Sequence, residues 1–218
     1  MKFSDKTISV LKNFSSINKS MLFRQGNTLR VISPQKNILA KADIDETFDR
    51  DFAIYDLPRF LGVLSLFDSP EVVINEKDAT IIVDKKKLVY VYADASSFAT
   101  PPAKDVSLPL AEINMTLTNA DLQQVQRAGS VMQLPEIAFV GDGKIISLKA
   151  VDMKNPTADS FVVEVGETDQ TFNAVFKSEN FKLMDATYEV SISSKGISQF
   201  AAGGMTYWIA TEATSTFN

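Results

Sequence analysis

The chain has 218 residues, 45% of them hydrophobic and 15 of them Phe, enough for one large domain or two of about 100 to 110 residues with a core each. It has no Cys and no His, which argues against disulfides, a thiolate nucleophile, a zinc site or a hydrolase triad. The net charge of −5 speaks against a nucleic-acid partner on average, yet residues 2–19 carry Lys2, Lys6, Lys12 and Lys19 against the single acid Asp5. Acids gather elsewhere, in 43–51 and at Asp152, Asp159, Glu164, Glu167 and Asp169, so a basic helix on an acidic body is expected.

Met1–Lys6 has charge but no apolar run behind it, unlike a signal peptide, and no window approaches the roughly 18 to 20 apolar residues of a membrane span. The chain therefore reads as soluble and intracellular, with no membrane partner. Ser4 can cap a first helix in which Ile8, Leu11 and either Phe14 or Ser15 share a face. Alternation through Met21–Ser33 predicts strands, and Gln25-Gly26-Asn27 inside it predicts a hairpin turn. Ile38–Ile44 and Asp51–Tyr55 read as strands. Asp56 caps a second helix with Pro58 in its first turn and Leu57, Phe60, Leu61 and Leu64 as its buried stripe. Val72–Ile74 and Ala79–Val83 flank the turn Asn75–Asp78, and Leu88–Tyr92 is a further strand.

From Ala93 to Pro109 the pattern breaks into a polar stretch containing Pro101, Pro102 and Pro109, a rigid extended connector. Glu112–Leu117 then restarts as a strand, and Thr118 or Asn119 caps a helix through Leu122, Val125 and Gly129. Gly141-Asp142-Gly143, Ser194-Lys195-Gly196 and Gly203-Gly204 signal hairpins.

The two halves repeat one order of elements: helix, strands, strand running into helix, paired strands. Thr7–Met21, Phe23–Ser33, Asp51–Phe67 and Glu71–Ala93 answer to Ala120–Leu134, Phe139–Ala150, Thr171–Met184 and Thr187–Ala213. Phe52–Phe60 lies over Asn173–Phe181 with Ala53 on Ala174 and Phe60 on Phe181, and Val72-Val73-Ile74 lies over Val190-Ser191-Ile192. The expected fold is α+β: two similar domains of antiparallel sheet with two short helices each, residues 1–95 and 110–218, joined by the connector 96–109. Duplicated units tend to close into symmetric assemblies.

Leu11-Lys12-Asn13-Phe14 with Ile17-Asn18, then Asp51–Leu57 with Phe60-Leu61-Gly62 and Leu64-Ser65-Leu66, then Asp121-Leu122-Gln123-Gln124, resemble the sliding clamps of T4-type bacteriophages. The resemblance implies DNA-clamp architecture: a closed ring of three identical subunits, with helices around a central hole and sheets at the rim. It implies a DNA polymerase processivity factor with no chemistry and no cofactor of its own, acting in the cytoplasm of an infected bacterium. Its implied partners are duplex DNA, bound without sequence preference, the replicative polymerase, an ATP-dependent clamp loader and, in this phage family, late-transcription factors. The alternatives are a structural ring of a virion and an enzyme with paired carboxylates, such as a glycoside hydrolase.

A sliding ring meets phosphates rather than base edges, so the helices' polar faces supply the DNA-facing candidates Lys6, Lys12, Arg59, Arg127 and Lys182. Taken singly, each reads as an ordinary solvated charge; as a set they form a basic lining. Clamps of this kind seat a partner peptide beside the connector, and by position Ile38, Leu108, Leu110, Trp208 and Ala210 are the candidates. A lone strand Trp belongs more often to the core, whereas leucines flanking a Pro in a polar connector call for a partner. Phe217 is a further candidate for the partner site, though it reads more readily as part of a free tail. Asp43-x-Asp45, Asp49-x-Asp51 and Asp142 read as strand ends and turns, so no metal or catalytic residue is assigned. The edge strands Leu88–Tyr92 and Phe161–Val165 are candidates for ring closure.

Overall fold

The structure, a computed structural model, describes residues 1–155 and 157–217. The chain divides into two compact units, Met1–Asp105 and a second from Val106 onward, the break lying inside the polar stretch 96–109.

In the first unit α1 spans Asp5–Ile17 and turns Thr7, Val10, Leu11, Phe14 and Ile17 inward. Ser4 caps it by accepting the Thr7 N–H at 3.2 Å, and the Glu46 carboxylate accepts the Ser4 N–H and the Thr7 hydroxyl. Strands β1 (Met21–Phe23), β2 (Gly26–Ile32), β3 (Ile38–Phe48) and β4 (Phe52–Ile54) follow, β1 pairing with β4 and β2 with β3, both antiparallel. The turn expected at Gln25-Gly26-Asn27 is instead a break between two strands that take different partners. Gly26 there adopts φ 111° opposite Phe48, beside a register shift. The hairpin turn lies later, at 33–37, where the Ser33 hydroxyl accepts the N–H groups of Asn37 and Ile38.

Helix α2 (Leu57–Leu64) starts as the sequence predicts: Asp56 accepts the Arg59 N–H at 2.9 Å, and Leu57, Phe60, Leu61 and Leu64 are buried. Strands β5 (Glu71–Ile74), β6 (Asp78–Val83) and β7 (Lys86–Val91) form an antiparallel sheet ordered β5-β6-β7. Phe23, Phe48, Phe52 and Tyr92 pack as one aromatic cluster, with Phe23 stacked on Phe52 at 4.5 Å.

The second unit opens with β8 (Ile113–Leu117) and α3 (Asn119–Met132), whose cap Thr118 accepts the Asp121 N–H at 3.1 Å. Next come β9 (Glu136–Asp142), β10 (Ile145–Val151), β11 (Phe161–Glu167) and β12 (Thr171–Lys177), then β13 (Tyr188–Ser193), β14 (Ile197–Ala202), β15 (Met205–Ala210) and β16 (Thr216–Phe217). One sheet is ordered β11-β10-β9-β12-β16; β8, β13, β14 and β15 lie side by side in that order. All these pairings are antiparallel. Gly203 and Gly204, both at positive φ, close the β14–β15 hairpin. Phe139, Phe176, Phe181 and Phe200 fill the core, joined by Tyr188 and Tyr207.

The duplication is visible in the pairings. The β1·β4, β2·β3 and β5-β6-β7 sets of the first unit recur as β9·β12, β10·β11 and β13-β14-β15. Ala53 and Ala174 are both buried, as are Phe60 and Phe181, and Val72 and Val190.

Two expectations are corrected. Among its described residues the second unit has no second α-helix: after β12 the chain makes a single 3-10 turn, Ser178–Asn180, and then runs extended. Two of its carbonyls find side-chain partners instead: Gln126 donates to that of Phe181 at 2.9 Å and Tyr188 to that of Met184 at 2.6 Å. Nor is Phe217 in a free tail, because β16 places it opposite Phe172 at the edge of β12.

Candidate nucleic-acid interface

Two of the basic residues expected to face DNA, Lys12 and Arg127, reach the surface by helical spacing. On α1 the exposed stripe is Asp5, Ser9, Lys12 and Ser16; on α3 it is Ala120, Gln124, Arg127 and Val131. Both follow the i, i+4, i+7, i+11 repeat that leaves one helical face in water. Lys12 and Arg127 thus hold the same third place in equivalent stripes.

Arg127 donates to Gln123 Oε1 at 3.0 Å, and Gln123 donates onward to Asp185 Oδ1 at 2.8 Å, a chain that aims the guanidinium from the helix surface. Lys6 is exposed but lies 3.5 Å from Asp45 Oδ1, so part of its field is compensated. Arg59, exposed on α2, lines a groove of about 460 Å³ with Tyr55, Val89, Tyr90 and Val91, beside strand β7. Lys182 is half-buried and follows the 3-10 turn rather than sitting on a helix.

Of the residues expected to form a peptide pocket, Ile38 opens β3 in the first unit, and the other four belong to the second. Trp208, in β15, is 6% exposed and is core; Ala210 is half-buried. Leu110 is 81% exposed and its carbonyl accepts the Ser193 hydroxyl at 2.7 Å; Leu108 is half-buried. A leucine so exposed on a backbone tied in place is a feature a partner would cover.

The connector is held by a contact that residue types alone do not disclose. Asp105 accepts from Arg30 at 2.5 Å and from Lys41 at 3.0 Å, side chains of neighbouring strands β2 and β3. Hydrogen bonds from Lys41 and Arg30 hold its carboxyl below the ordinary carboxylate range. Arg24 adds a bond to the Pro101 carbonyl at 3.3 Å.

Each carboxylate pair that could suggest chemistry has an ordinary partner. Asp43 accepts from Thr28, Asp51 from the Gln25 N–H, and Asp49 lies 3.3 Å from Arg50. Asp142 accepts the N–H groups of Ile145 and Lys144, which lower its pKa and tie the β9–β10 turn. Among the described residues no group of three or more acids is placed to hold a metal ion, and no helix is long and apolar enough to cross a membrane.

Comparison with known proteins places this arrangement. A family described as DNA polymerase processivity factor matches residues 2–99, and one described as gp45 sliding clamp, C terminal, matches residues 114–213. The sliding clamp of Vibrio phage KVP40 is 36% identical over 98% of this chain and 100% of its own. That of Enterobacteria phage T4 is 30% identical over 99% of each. A. fulgidus PCNA, solved with the C-terminal region of FEN-1, covers 99% of this chain and 100% of its own with a TM-score of 0.72; at 13% identity this shows a shared fold.

Proposed function

The chain belongs to the sliding clamps, the DNA polymerase processivity factors of phages such as T4, and from that premise we propose that three copies close into a ring around duplex DNA. As a processivity factor it is not an enzyme, and its task is to keep a DNA polymerase on its template. The observation that carries the DNA-facing assignment is the equivalence of Lys12 on α1 and Arg127 on α3. With three copies, this pair sets six cations around the hole, two from each chain. Phosphate contacts of this kind carry no sequence information, so the ring slides instead of stopping. Lys6 and Arg59 contribute less, the first because Asp45 compensates it, the second because it sits by the β7 groove. Lys182 contributes from an extended segment.

Residues 1–95 and 110–218 serve as the two clamp domains and 96–109 as the connector. The exposed Leu110, with Leu108, is the anchor offered to a peptide of the replicative polymerase or of the ATP-dependent loader, and Trp208 and Ala210 belong to strand β15 of the same unit. Late-transcription factors would use the same anchor, in the cytoplasm of the infected host.

The test replaces Lys12 and Arg127 together by Ala. Primer-extension products should shorten while light scattering still finds a species near 72 kDa, three times the 24.0 kDa chain. Products of unchanged length would remove both residues from the DNA face.

A further inference from the structure

The cation that α3 turns to the DNA face is not left to itself. Gln123 and Arg127 lie one helical turn apart, so their side chains meet, and Arg127 donates to Gln123 Oε1 at 3.0 Å. Gln123 Nε2 donates in turn at 2.8 Å to Asp185 Oδ1, from a residue 62 places further along the chain. The amide can face only one way. A carboxylate accepts and a guanidinium donates, so its oxygen must turn to Arg127 and its nitrogen to Asp185. Asp185 is exposed, yet its place is fixed. Both backbone groups of Met184, the residue before it, are held by core tyrosines: the carbonyl accepts from Tyr188 at 2.6 Å, and the N–H donates to the Tyr207 hydroxyl at 3.4 Å. Gln126 ties the same segment at the Phe181 carbonyl.

We propose that Asp185, acting through the positioning residue Gln123, aims Arg127 and tempers its charge, so that the protein holds duplex DNA weakly enough to slide. This rests on the DNA-facing reading of Arg127 above and adds the residues that set the strength of its contact. The interposed amide decides how they do so. A carboxylate bonded directly to the guanidinium would occupy the donors that a phosphate needs. With Gln123 between them, Arg127 uses one N–H for alignment and keeps the rest of its fork for phosphate. The acid still acts on it, because two hydrogen bonds and one amide group span less than the ~10 Å screening length at 0.1 M salt.

The first unit balances a helix cation in its own way. Asp45 of β3 lies 3.5 Å from Lys6 of α1, again an acid brought to a helix from another element. The two pairs do not correspond in the repeat: Lys12, not Lys6, holds the place of Arg127. Lys12 itself forms no ion pair among the described residues, so it serves as the unopposed comparator. Affinity for a duplex climbs steeply with each phosphate neutralised. An opposed cation keeps that climb shallow and, because the acid reads no base, does so equally on every sequence.

Full-length Asp185→Asn, Gln123→Glu, Arg127→Ala and the double variant Asp185→Asn/Arg127→Ala are compared with wild type for binding a fluorescein-labelled duplex, read by anisotropy across a salt series. Circular dichroism checks the fold of each. In Asp185→Asn an amide oxygen still accepts from Gln123, so charge is removed and alignment kept. Binding should tighten about threefold near ~50 mM salt and converge on wild type as salt rises. Gln123→Glu sets an acid directly against Arg127 and should weaken binding about tenfold, with a shallower salt dependence. In the Arg127→Ala background the Asp185→Asn change should shift binding by less than about 1.5-fold. Equal tightening with and without Arg127 would make Asp185 a diffuse charge, and no tightening at any salt would leave it without a role; either result overturns the proposal alone. Should Arg127→Ala by itself bind as tightly as wild type, the DNA-facing reading of Arg127 falls, and the proposal with it.

Discussion

The two units share a strand plan and differ where the first winds a second helix and the second, among its described residues, makes only a 3-10 turn. In the first, Asp56 caps Leu57–Leu64, Pro58 starts it, and the apolar anchors Leu57, Phe60, Leu61 and Leu64 hold it down. In the second, Lys177 stands where the cap would be and makes no side-chain cap bond, and Ser178–Asn180 closes only one 3-10 turn. Phe60 and Phe181 are buried alike, so the hydrophobic anchor is common to both. The difference lies in what satisfies the backbone. Gln126 and Tyr188 bond carbonyls that a helix would otherwise have paired, so extended chain costs little there. Apolar anchors therefore dictate where a segment docks, while capping and neighbouring polar side chains dictate whether it winds.

A second contrast concerns the start of each unit. β8 pairs with β13 over five residues, whereas in the first unit the chain end takes that place with two bonds, from the Met1 ammonium to the Val72 carbonyl at 2.8 Å and from the Val72 N–H to the Met1 carbonyl at 2.7 Å.

The comparison can be broken most severely in the cores. Phe176→Ala should cost the second unit about 3–5 kcal/mol, read by urea unfolding through Trp208, the lone Trp of the chain and a resident of that unit. A loss under about 1 kcal/mol would mean that the aromatic cluster does not hold the unit together. Glycines give the next effect. A Cβ at Gly141 would overlap the Phe172 ring and stand 2.8 Å from the Gln170 carbonyl, so Gly141→Ala should destabilise by about 1–3 kcal/mol. Gly62, on α2 with open space around it, should gain up to about 1 kcal/mol on the same change. Equal melting shifts at both sites would contradict this.

Asp56→Ala should remove about 1 kcal/mol and push the Leu57–Leu64 segment towards the form its counterpart takes, seen as faster amide exchange in its first turn. If exchange there stays unchanged, the cap is not what distinguishes the units. The smallest effect is local. Because the Asp105 carboxyl is held below its ordinary value of 3.8, its contribution is present above that value and is lost as pH falls through the lower, folded one. Asp105→Asn should mimic the acid form at neutral pH, speeding protease cleavage within 101–110 with little change in the melting temperature. Cleavage no faster than in wild type would show that Arg30 and Lys41 do not pin the connector.

Periodicity disclosed most of the fold, because burying one face imposes a spacing that residue types record directly. Ser4, Asp56 and Thr118 cap helices as their side chains allow, and Asn75–Asp78, Gly141–Gly143 and Gly203-Gly204 turn where their backbones permit. Gln25-Gly26-Asn27 misled because a hairpin signal states that a chain can turn, not which strand it will then pair with. The basic stripe was half legible: the spacing puts Lys12 and Arg127 on exposed faces, but nothing in it tells that Asp45 meets Lys6 or that Arg59 sits by the β7 groove.

By itself, the sequence determined what is local and additive: the order of elements, their buried faces, the duplication, and the absence of His and Cys from any chemistry. Only the tertiary structure decided which backbone groups are satisfied by side chains from far along the chain, and which strands are left as edges. Gln126 reaching Phe181, Asp105 meeting Arg30 and Lys41, and Phe217 lying on Phe172 all join residues that no short window contains. Such contacts depend on the position of whole elements, which packing sets collectively and spacing along the chain cannot encode.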